Sequence, residues 1–443
     1  MGPLLISTIF VLCYILFGAL PRYRHWVGLA GAALVLVLGL FGLGITFEAA
    51  FLGALSGSGV QAAGPAVNWN VMGIFIGTLV VAELFMRSGM PAHLADLIIR
   101  RAPSTRMALL AICAMTSLIS AFVENVAAVL IIAPVALALT ERLKIRPVPF
   151  FVALAISSNL QGCATLIGDP PSMLLGAAGK MTFNDFIWMH GRPSIFFAVQ
   201  LGAVASFLVL VALFWRHRQP VEPETIPPVK SKVPSYLMVA LIVALALSSF
   251  FDPGFGGLAG IICVVFGVIA LAWDVIFHRT DAVKFVRELD WPTTAFLLAV
   301  FILVGALRAQ GILEQLAQWI QGVTGGNLFV TFLMLIGIAM VVSAFVDNVP
   351  FLIAMIPVTM ELNAGFGYDL GNPKAYLLLF GLLIGASLGG NISPIGAAAN
   401  IVAMGLMQKR GYKPTFWEFV RIGLPFTLLA IGAGAVFVWF VWQ

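Results

Sequence analysis

The sequence predicts an all-α membrane protein built from two halves of inverted topology. Of its 443 residues, 61% are hydrophobic and only 10% are charged, whereas soluble domains carry about 25% charged residues. About ten apolar windows are each long enough to cross roughly 30 Å of hydrocarbon. The third observation is a repeated motif, which reads Ser-Ala-Phe-Val-Glu-Asn-Val at 120–126 and Ser-Ala-Phe-Val-Asp-Asn-Val at 343–349.

The apolar windows give the order of the predicted elements. Two apolar stretches, 105–140 and 326–362, are too long for one crossing and hold the repeated motif in the middle. We therefore expect each to form a re-entrant helical hairpin, with its polar tip buried in protein. Two further spans, 148–178 and 374–407, are interrupted by polar residues and are predicted to be broken helices. The other spans are predicted at 2–20, 27–46, 69–87, 194–216, 234–251, 257–277, 291–309 and 422–442.

The basic residues predict the orientation of these spans. Of the 24 Lys and Arg residues, all but Lys180, Arg192, Arg308 and Lys374 fall on one face if the chain starts outside. Cytoplasmic loops are rich in Lys and Arg, so that face is predicted to be cytoplasmic. Both termini are then extracytoplasmic, and a bacterial inner membrane is expected. The net charge of +5 is accounted for by these loops, and no nucleic-acid partner is predicted.

The segment 2–20 is expected to remain in the protein. It has neither a basic N-terminal region nor a clear small-residue cleavage site. These are the features by which a signal peptide is recognised. We therefore interpret it as the first membrane helix.

Further matches divide the chain into two repeats, 1–216 and 234–443. Trp69 and Trp291 occupy corresponding positions, as do Gly89 and Gly311. Each half holds three spans, a hairpin, a broken span and a final span, so the number of crossings is odd and the second half is inverted. Inverted repeats support alternating access around a site near the membrane midplane. The polar, Pro-rich segment 217–233 is predicted to be an extended cytoplasmic linker.

Carboxylates at the two hairpin tips are the first candidates for a functional site. A charge inside the bilayer is costly, so Glu124 and Asp347 point to function. We predict that they carry protons or ligate a coupling ion, with Asn125 and Asn348 beside them as ligands. The alternative is that each carboxylate only caps the second arm of its hairpin, where a negative charge is favourable. The two roles are compatible.

The broken spans supply the rest of the predicted site. Gly and Pro unwind the helix there, and the freed backbone groups have to line a cavity or a protein interior. Helix N-termini and Asn, Ser and Thr oxygens can then bind a solute or an ion. The alternative is that these residues only kink and pack helices, and Asp169 could merely cap a half-helix. The predicted binding residues are Ser158, Asn159, Gly162, Thr165, Gly168 and Asp169 in the first break, and Ser387, Gly390, Asn391, Ser393, Gly396 and Asn400 in the second.

Other polar residues are expected to be structural. Glu83 and Asp274 lie near the cytoplasmic ends of their spans, where we expect them to snorkel or to pair with a loop Arg. The four cysteines lie in apolar stretches and are expected to be small buried residues without disulfides. The sequence shows no nucleophile–base set, metal-ligand spacing or Walker A loop, so no enzyme, metal or cofactor is predicted. Protons or sodium are expected only as coupling ions.

On these motifs the chain resembles the ion transporter superfamily over nearly its whole length. That group includes arsenite efflux transporters, the melanosomal P protein, silicic-acid effluxers, sodium:proton antiporters and sodium:dicarboxylate symporters. The run Gly168-Asp169-Pro170-Pro171 and the run Gly389-Gly390-Asn391 are most similar to the arsenite and P-protein branches. The dicarboxylate symporters carry Ser-Asn-Thr where this chain has Glu124-Asn125-Val126 and Asp347-Asn348-Val349. The resemblance implies a site formed by paired hairpins and broken helices, and it allows a homodimer and a separate ATPase subunit as partners.

Three transport functions remain open on the sequence. The motifs contain Glu124, Asp169 and Asp347 but no Lys or Arg, so an unpaired acidic cavity is expected, which should repel a free dianion. Such a cavity suits a proton-coupled efflux antiporter for arsenite or a related neutral inorganic metalloid. The alternatives are a sodium:proton antiporter and a sodium-coupled anion symporter, in which cations neutralise the acids first. A channel is less favoured because symmetric hairpins argue for alternating access.

Overall fold

The computed structural model describes residues 2–52, 66–220 and 229–443. Within them the chain is almost entirely helical, apart from a β-hairpin that pairs β1 (Trp188–Met189) with β2 (Arg192–Pro193). The first half contains α1 (Gly2–Ala19), α2 (Arg24–Gly39), α3 (Phe47–Phe51), α4 (Trp69–Arg87), α5 (Met90–Arg101), α6 (Thr105–Ser120), α7 (Asn125–Arg142), α8 (Val148–Gly162), α9 (Pro170–Ala178) and α10 (Ile195–Leu213).

The second half repeats the same order of helices. It contains α11 (Val233–Ser248), α12 (Leu258–His278), α13 (Ala282–Glu288), α14 (Trp291–Ala309), α15 (Ile312–Thr324), α16 (Leu328–Ser343), α17 (Asn348–Gly365), α18 (Ala375–Gly389), α19 (Ala398–Lys409) and α20 (Phe416–Trp442). Eight of the described helices are long and apolar enough to cross a membrane, and shorter apolar helices form the first arms of the two hairpins. The predicted all-α membrane class is confirmed.

The packing of the helices is compatible with the predicted inverted repeat. α4 of the first half packs along α12 of the second, and α14 of the second half packs along α2 of the first. Gly89 and Gly311, which the sequence pairs, both adopt positive φ angles of 75° and 69° and both precede a short helix. Such angles favour glycine, which has no Cβ.

Two predicted spans differ from the structure by more than three residues at one end. The span predicted at 27–46 is α2, which begins at Arg24 and ends at Gly39, because Gly42 at φ 72° turns the chain back. The last span, predicted at 422–442, begins at Phe416, because the Thr415 side chain caps it by accepting from the backbone N–H of Glu418. Apolar windows do not detect caps and turns, which set these bounds.

The predicted linker 217–233 lies partly outside the described residues, at 221–228. Its described ends are held to the first half by backbone hydrogen bonds. Thr105 and Arg106 donate to the carbonyls of Gln219 and His217, and the N–H of Lys230 donates to the carbonyl of Ser88.

The two broken helices form the core around which the site is built. Every residue of α18 is buried, and so is nearly every residue of α8. α6 packs against α8, and α16 packs against α18 in the same way. The hairpin tips are therefore held beside the breaks in α8–α9 and α18–α19, deep in the protein.

Small residues allow the two halves to approach closely. A Cβ on Gly77 in α4 would lie 2.2 Å from the carbonyl carbon of Cys263 in α12, and a Cβ on Gly73 would lie 3.2 Å from the Cα of Gly260. Membrane helices associate through such small-residue contacts because the lipid offers no hydrophobic drive between them.

We expect the substitution Gly77→Ala to push α4 away from α12. Overpacking of this kind typically costs about 1–3 kcal/mol, so the thermal unfolding temperature in detergent should fall. Gly337→Ala on α16 is the matched control, since no atom lies within 4 Å of a Cβ at that position. Equal unfolding temperatures for the two variants would contradict the close packing of α4 on α12.

Candidate functional site

The two hairpin tips place a carboxylate at the N-terminus of the second arm. Glu124 precedes α7 and accepts from the backbone N–H of Ala127 at 3.4 Å. Asp347 precedes α17 and accepts from the backbone N–H of Val349 at 3.1 Å. The capping role considered from the sequence is thus confirmed for both carboxylates, and it satisfies N–H groups that the helix leaves unpaired.

The first break carries a third capping carboxylate. α8 ends at Gly162, and Asp169 caps α9 by accepting from the backbone N–H of Ser172 at 3.0 Å and from its hydroxyl at 2.7 Å. In the second break the corresponding cap of α19 is Ala397, which has no side chain to accept a hydrogen bond. The two breaks therefore differ by one negative charge.

Each break is tied to the hairpin tip of its own half by the same contact. The hydroxyl of Thr165 donates to the carbonyl of Ala121, and the hydroxyl of Ser393 donates to the carbonyl of Ala344. A Cβ on Gly168 or Gly396 would lie 2.9 Å from those carbonyl oxygens. Through these contacts four predicted binding residues, Thr165, Gly168, Ser393 and Gly396, hold each tip against its break.

Polar side chains also brace the first hairpin tip. The Ser158 hydroxyl can donate to either of two acceptors, the Ser120 hydroxyl at 2.9 Å or the backbone carbonyl of Asn125 at 3.0 Å. Ser120 in turn donates to the Asn125 side-chain oxygen at 2.7 Å. A Cβ on Gly162 would come within 2.3 Å of that oxygen, so glycine is required there for the tip to pack.

Three predicted asparagines join the two breaks to each other. The side-chain amide of Asn159 donates to the side-chain oxygens of Asn391 at 2.9 Å and Asn400 at 3.0 Å. Asn391 donates to the carbonyl of Ile156, and Asn400 donates to the carbonyls of Gly390 and Ser393. This network satisfies backbone oxygens that the broken helices would leave buried without partners.

A cavity of about 40 Å³ lies between the hairpin tips and the breaks. It is lined by Arg24, Glu124, Asn125, Val126, Asn159, Asp169, Pro170, Pro171, Thr293, Phe296, Asp347, Asn348, Val349 and Ala397 to Ala399. A neighbouring cavity of about 10 Å³ is lined by Gly168 and, again, by Glu124 and Asp169. The structure thus brings together the three predicted carboxylates and the asparagines Asn125, Asn159 and Asn348.

The remaining predicted binding residues support the cavity without lining it. In the second break only Ala397–Ala399 line the cavity. The predicted residues there are buried and do not line it, namely Ser387, Gly390, Asn391, Ser393, Gly396 and Asn400. Of the first break, Ser158, Gly162 and Thr165 contact the hairpin tip.

Arg24 is the site residue that the sequence analysis missed. Its guanidinium forms a hydrogen-bonded ion pair with Asp347 and donates to the Thr293 hydroxyl at 3.3 Å. The expectation of an acidic cavity without a basic partner is therefore wrong. The sequence places Arg24 in a cytoplasmic loop, because an Arg that directly precedes an apolar run is usually an orientation signal. The second half has no corresponding Arg that would make Arg24 part of a repeated motif.

The residues expected to be structural have ordinary partners. Glu83 pairs with Arg87 at 2.6 Å, as expected, whereas the partner of Asp274 is His278, at 3.1 Å, instead of an Arg. All four cysteines are buried and free. Across the described ranges, no group of three or more His, Cys, Asp or Glu side chains is arranged to hold a metal ion.

Comparison with known proteins agrees with this architecture. A family model described as CitMHS, citrate transporter, matches residues 12–381. An uncharacterized transporter of Mycobacterium tuberculosis is 30% identical over 98% of this chain and 97% of its own length. The P protein of Mus musculus is 24% identical over 84% of this chain and 54% of its own length. The resemblance to the ion transporter superfamily is confirmed.

Solved structures share the fold at low sequence identity. The Alcanivorax borkumensis YdaH transporter matches with a TM-score of 0.59 and 14% identity, over 99% of this chain and 97% of that one. Neisseria gonorrhoeae MtrF matches with a TM-score of 0.57 and 13% identity, over 100% of this chain and 95% of that one. Together with the family match, these findings identify an integral membrane transporter, whose partners are a lipid bilayer and a small solute.

We expect Asn159→Leu to separate the two breaks. The substitution removes two hydrogen bonds and leaves two buried side-chain oxygens unpaired, at about 1–3 kcal/mol for each such group. Transport in proteoliposomes should therefore be lost, and the unfolding temperature should fall. Gln200→Leu is the control, because Gln200 forms a reciprocal amide pair with Gln161 outside the cavity, at 2.9 Å. A variant of Asn159 that transports as well as the control would refute the role of the network.

Proposed function

We propose that this chain, which belongs to the citrate transporter family described as CitMHS, is a proton-coupled secondary transporter of a small inorganic solute. The observation that carries the proposal is the cavity in which Glu124, Asp169 and Asp347 converge from both hairpins and one break. Buried carboxylates at the interface of two repeats are the groups that proton- and cation-coupled transporters use.

The charge of the cavity favours a neutral or cationic solute. Three carboxylates face one guanidinium, so the lining remains acidic even after Arg24 is counted. A free multivalent anion would meet this negative lining in a place where water screens charge poorly. A neutral hydroxylated metalloid does not carry that penalty.

The size and polarity of the cavity point the same way. A water molecule needs roughly 10–15 Å³ of such space, so 40 Å³ holds about three waters or one compact solute. Asn125, Asn159 and Asn348 line the space. Asn125 and Asn348 offer amide groups to the hydroxyls of a metalloid acid. Asn159 offers its side-chain oxygen, because both of its N–H groups are bonded to Asn391 and Asn400. Each such hydrogen bond contributes about 0.5–1.5 kcal/mol. Arsenous acid or a related metalloid, exported in exchange for protons, is our first candidate.

A carboxylate anion is the second candidate, and Arg24 is the observation that favours it. A guanidinium binds carboxylates through two parallel hydrogen bonds, and the matching family model is described as a citrate transporter. For an anion to enter, Arg24 would have to exchange Asp347 for the solute, and a cation such as sodium would have to neutralise the remaining acids. A sodium:proton antiporter uses the same carboxylates as ion ligands and is a further outcome of the test.

The test measures proton movement in proteoliposomes that contain a pH-sensitive dye. Arsenite, silicic acid, citrate and sodium chloride are added one at a time to wild-type protein, and citrate is then added together with sodium chloride. A pH change with a metalloid but not with sodium supports metalloid:proton antiport. A response only to citrate with sodium supports anion symport, and a response to sodium alone supports cation antiport.

We expect Glu124→Gln to abolish the response to whichever solute is active. The amide keeps the size of the side chain but cannot take up a proton, and loss of a proton-transferring group typically costs 10²–10⁴-fold in rate. Glu361→Gln, an exposed position on α17, is the matched control and should respond like wild type. Full activity of the Glu124 variant would refute the assignment of the site.

A further inference from the structure

Arg24 is held firmly beside the second hairpin tip. Its guanidinium contacts three groups: Asp347 at the tip, the Thr293 hydroxyl on α14, and the ring of Phe296, whose centroid lies 4.9 Å away. The side chains of Arg24 and Asp347 are only 18% and 15% exposed. Three different kinds of contact thus fix one basic side chain inside the cavity.

Two of these three groups, Thr293 and Phe296, lie on α14, which packs along α2. Thr293 donates to the Asp290 carboxylate at 2.6 Å, and its backbone N–H donates to the same carboxylate at 3.1 Å. α2 lies against α14 closely enough that a Cβ on Gly28 would be 3.2 Å from the Cβ of Ala299. The position of Arg24 is therefore set by α14, and Asp347 is the contact that it makes with the hairpin.

The first hairpin tip has no equivalent partner. Among residues 2–52, 66–220 and 229–443, none forms an ion pair with Glu124, which caps α7 and faces Asp169 across the cavity. No Lys or Arg occurs between 233 and 277, the stretch that contains α11 and α12, which correspond to α1 and α2. The two halves thus have the same backbone plan and different charges at the tips.

This difference divides the work between the two carboxylates. Asp347 is neutralised by a guanidinium that never gives up its charge, so it does not need a proton to stay buried. The charge of Glu124 has to be neutralised by a proton or a cation that enters the cavity, because an isolated charge at this depth is costly. The charged or titratable groups around Glu124 are Asp169 and Asp347, which line the same cavity, Asp290 and, beyond hydrogen-bonding distance, Arg24. Those around Asp347 are Arg24, Tyr14 and, across the cavity, Glu124 and Asp169.

We propose that Arg24 is the permanent counter-ion of the second hairpin, and that, of the two tip carboxylates, only Glu124 carries the coupling proton. Arg24 acts as a positioning residue, since it holds the Asp347 tip on α2–α14 while the first tip exchanges its proton. The proposal rests on the proposed function for the proton, whereas the ion pair itself can be tested without any solute.

The experiment is a double-mutant cycle on Arg24 and Asp347. The variants are Arg24→Gln, Asp347→Asn and the combination of both, with Arg22→Gln, an exposed arginine two residues away, as the matched control. Two quantities are measured: the thermal unfolding temperature in detergent, and the proton flux in proteoliposomes driven by the probe that is active with wild type. The number of protons moved per solute is determined for each variant that transports.

Each single variant leaves one buried charge without its partner, so both should unfold earlier and transport poorly. The double variant removes both charges, which is often tolerated where removal of one is not. We expect the fall in its unfolding temperature to be much smaller than the sum of the falls in the two single variants. Its transport should recover at least about tenfold over the single variants. Its proton-to-solute ratio should equal that of wild type, and Arg22→Gln should match wild type throughout.

Two results would overturn the proposal. Additive shifts in unfolding temperature would show that Arg24 and Asp347 do not act as a pair. A double variant with restored transport but fewer protons per solute would show that Asp347 carries a proton. If wild type moves no protons with any of the four probes, the proposed function fails, and the assignment of the proton to Glu124 fails with it. The counter-ion role is then decided by the unfolding temperatures alone.

Discussion

The structure depends on one constraint: inside a bilayer there is no water, so every polar group needs a hydrogen-bond partner within the protein. Two hairpin turns and two helix breaks expose backbone N–H and carbonyl groups at depth, and each set satisfies the other. Hydroxyls of the breaks bond to the carbonyls of the tips, and carboxylates cap the arms that follow. The hairpins and the breaks can therefore exist only as neighbours, and the cavity is the space left where the two pairs meet.

Symmetry explains the frame of the site, and departures from symmetry explain its chemistry. The hydrogen bond from break to tip carbonyl is the same in both halves, and so is the glycine that packs against that carbonyl. The charges are not the same: Asp169 caps α9, whereas the cap of α19 is the uncharged Ala397, and within the described residues only the second tip pairs with a guanidinium. The two halves share a backbone plan, and their unequal charges give the two tips different surroundings.

Much of this could be predicted from sequence, because hydrophobicity and motif spacing report directly on burial in a membrane. The spans, the hairpins and the interruptions follow from apolar length and from polar residues inside it, and the capping carboxylates follow from their place before a helix. Two kinds of information were lacking. Gly42 turns the chain inside the apolar window 27–46, and the Thr415 cap precedes the window 422–442, so hydrophobicity reveals neither helix end. Arg24 contacts a residue more than three hundred positions away, and nothing in its local sequence distinguishes it from an orientation signal.

The asparagine network has a consequence for the history of the chain. Asn159 comes from one half, Asn391 and Asn400 come from the other, and the side chains do not occupy corresponding positions in the two breaks. If the halves arose by duplication of one gene, their ancestor was a pair of identical subunits, in which every contact across the axis occurred twice. In the present chain the contact is made once, between unlike residues. The two halves have therefore diverged at these positions, and each half now supplies a part of the network that the other lacks.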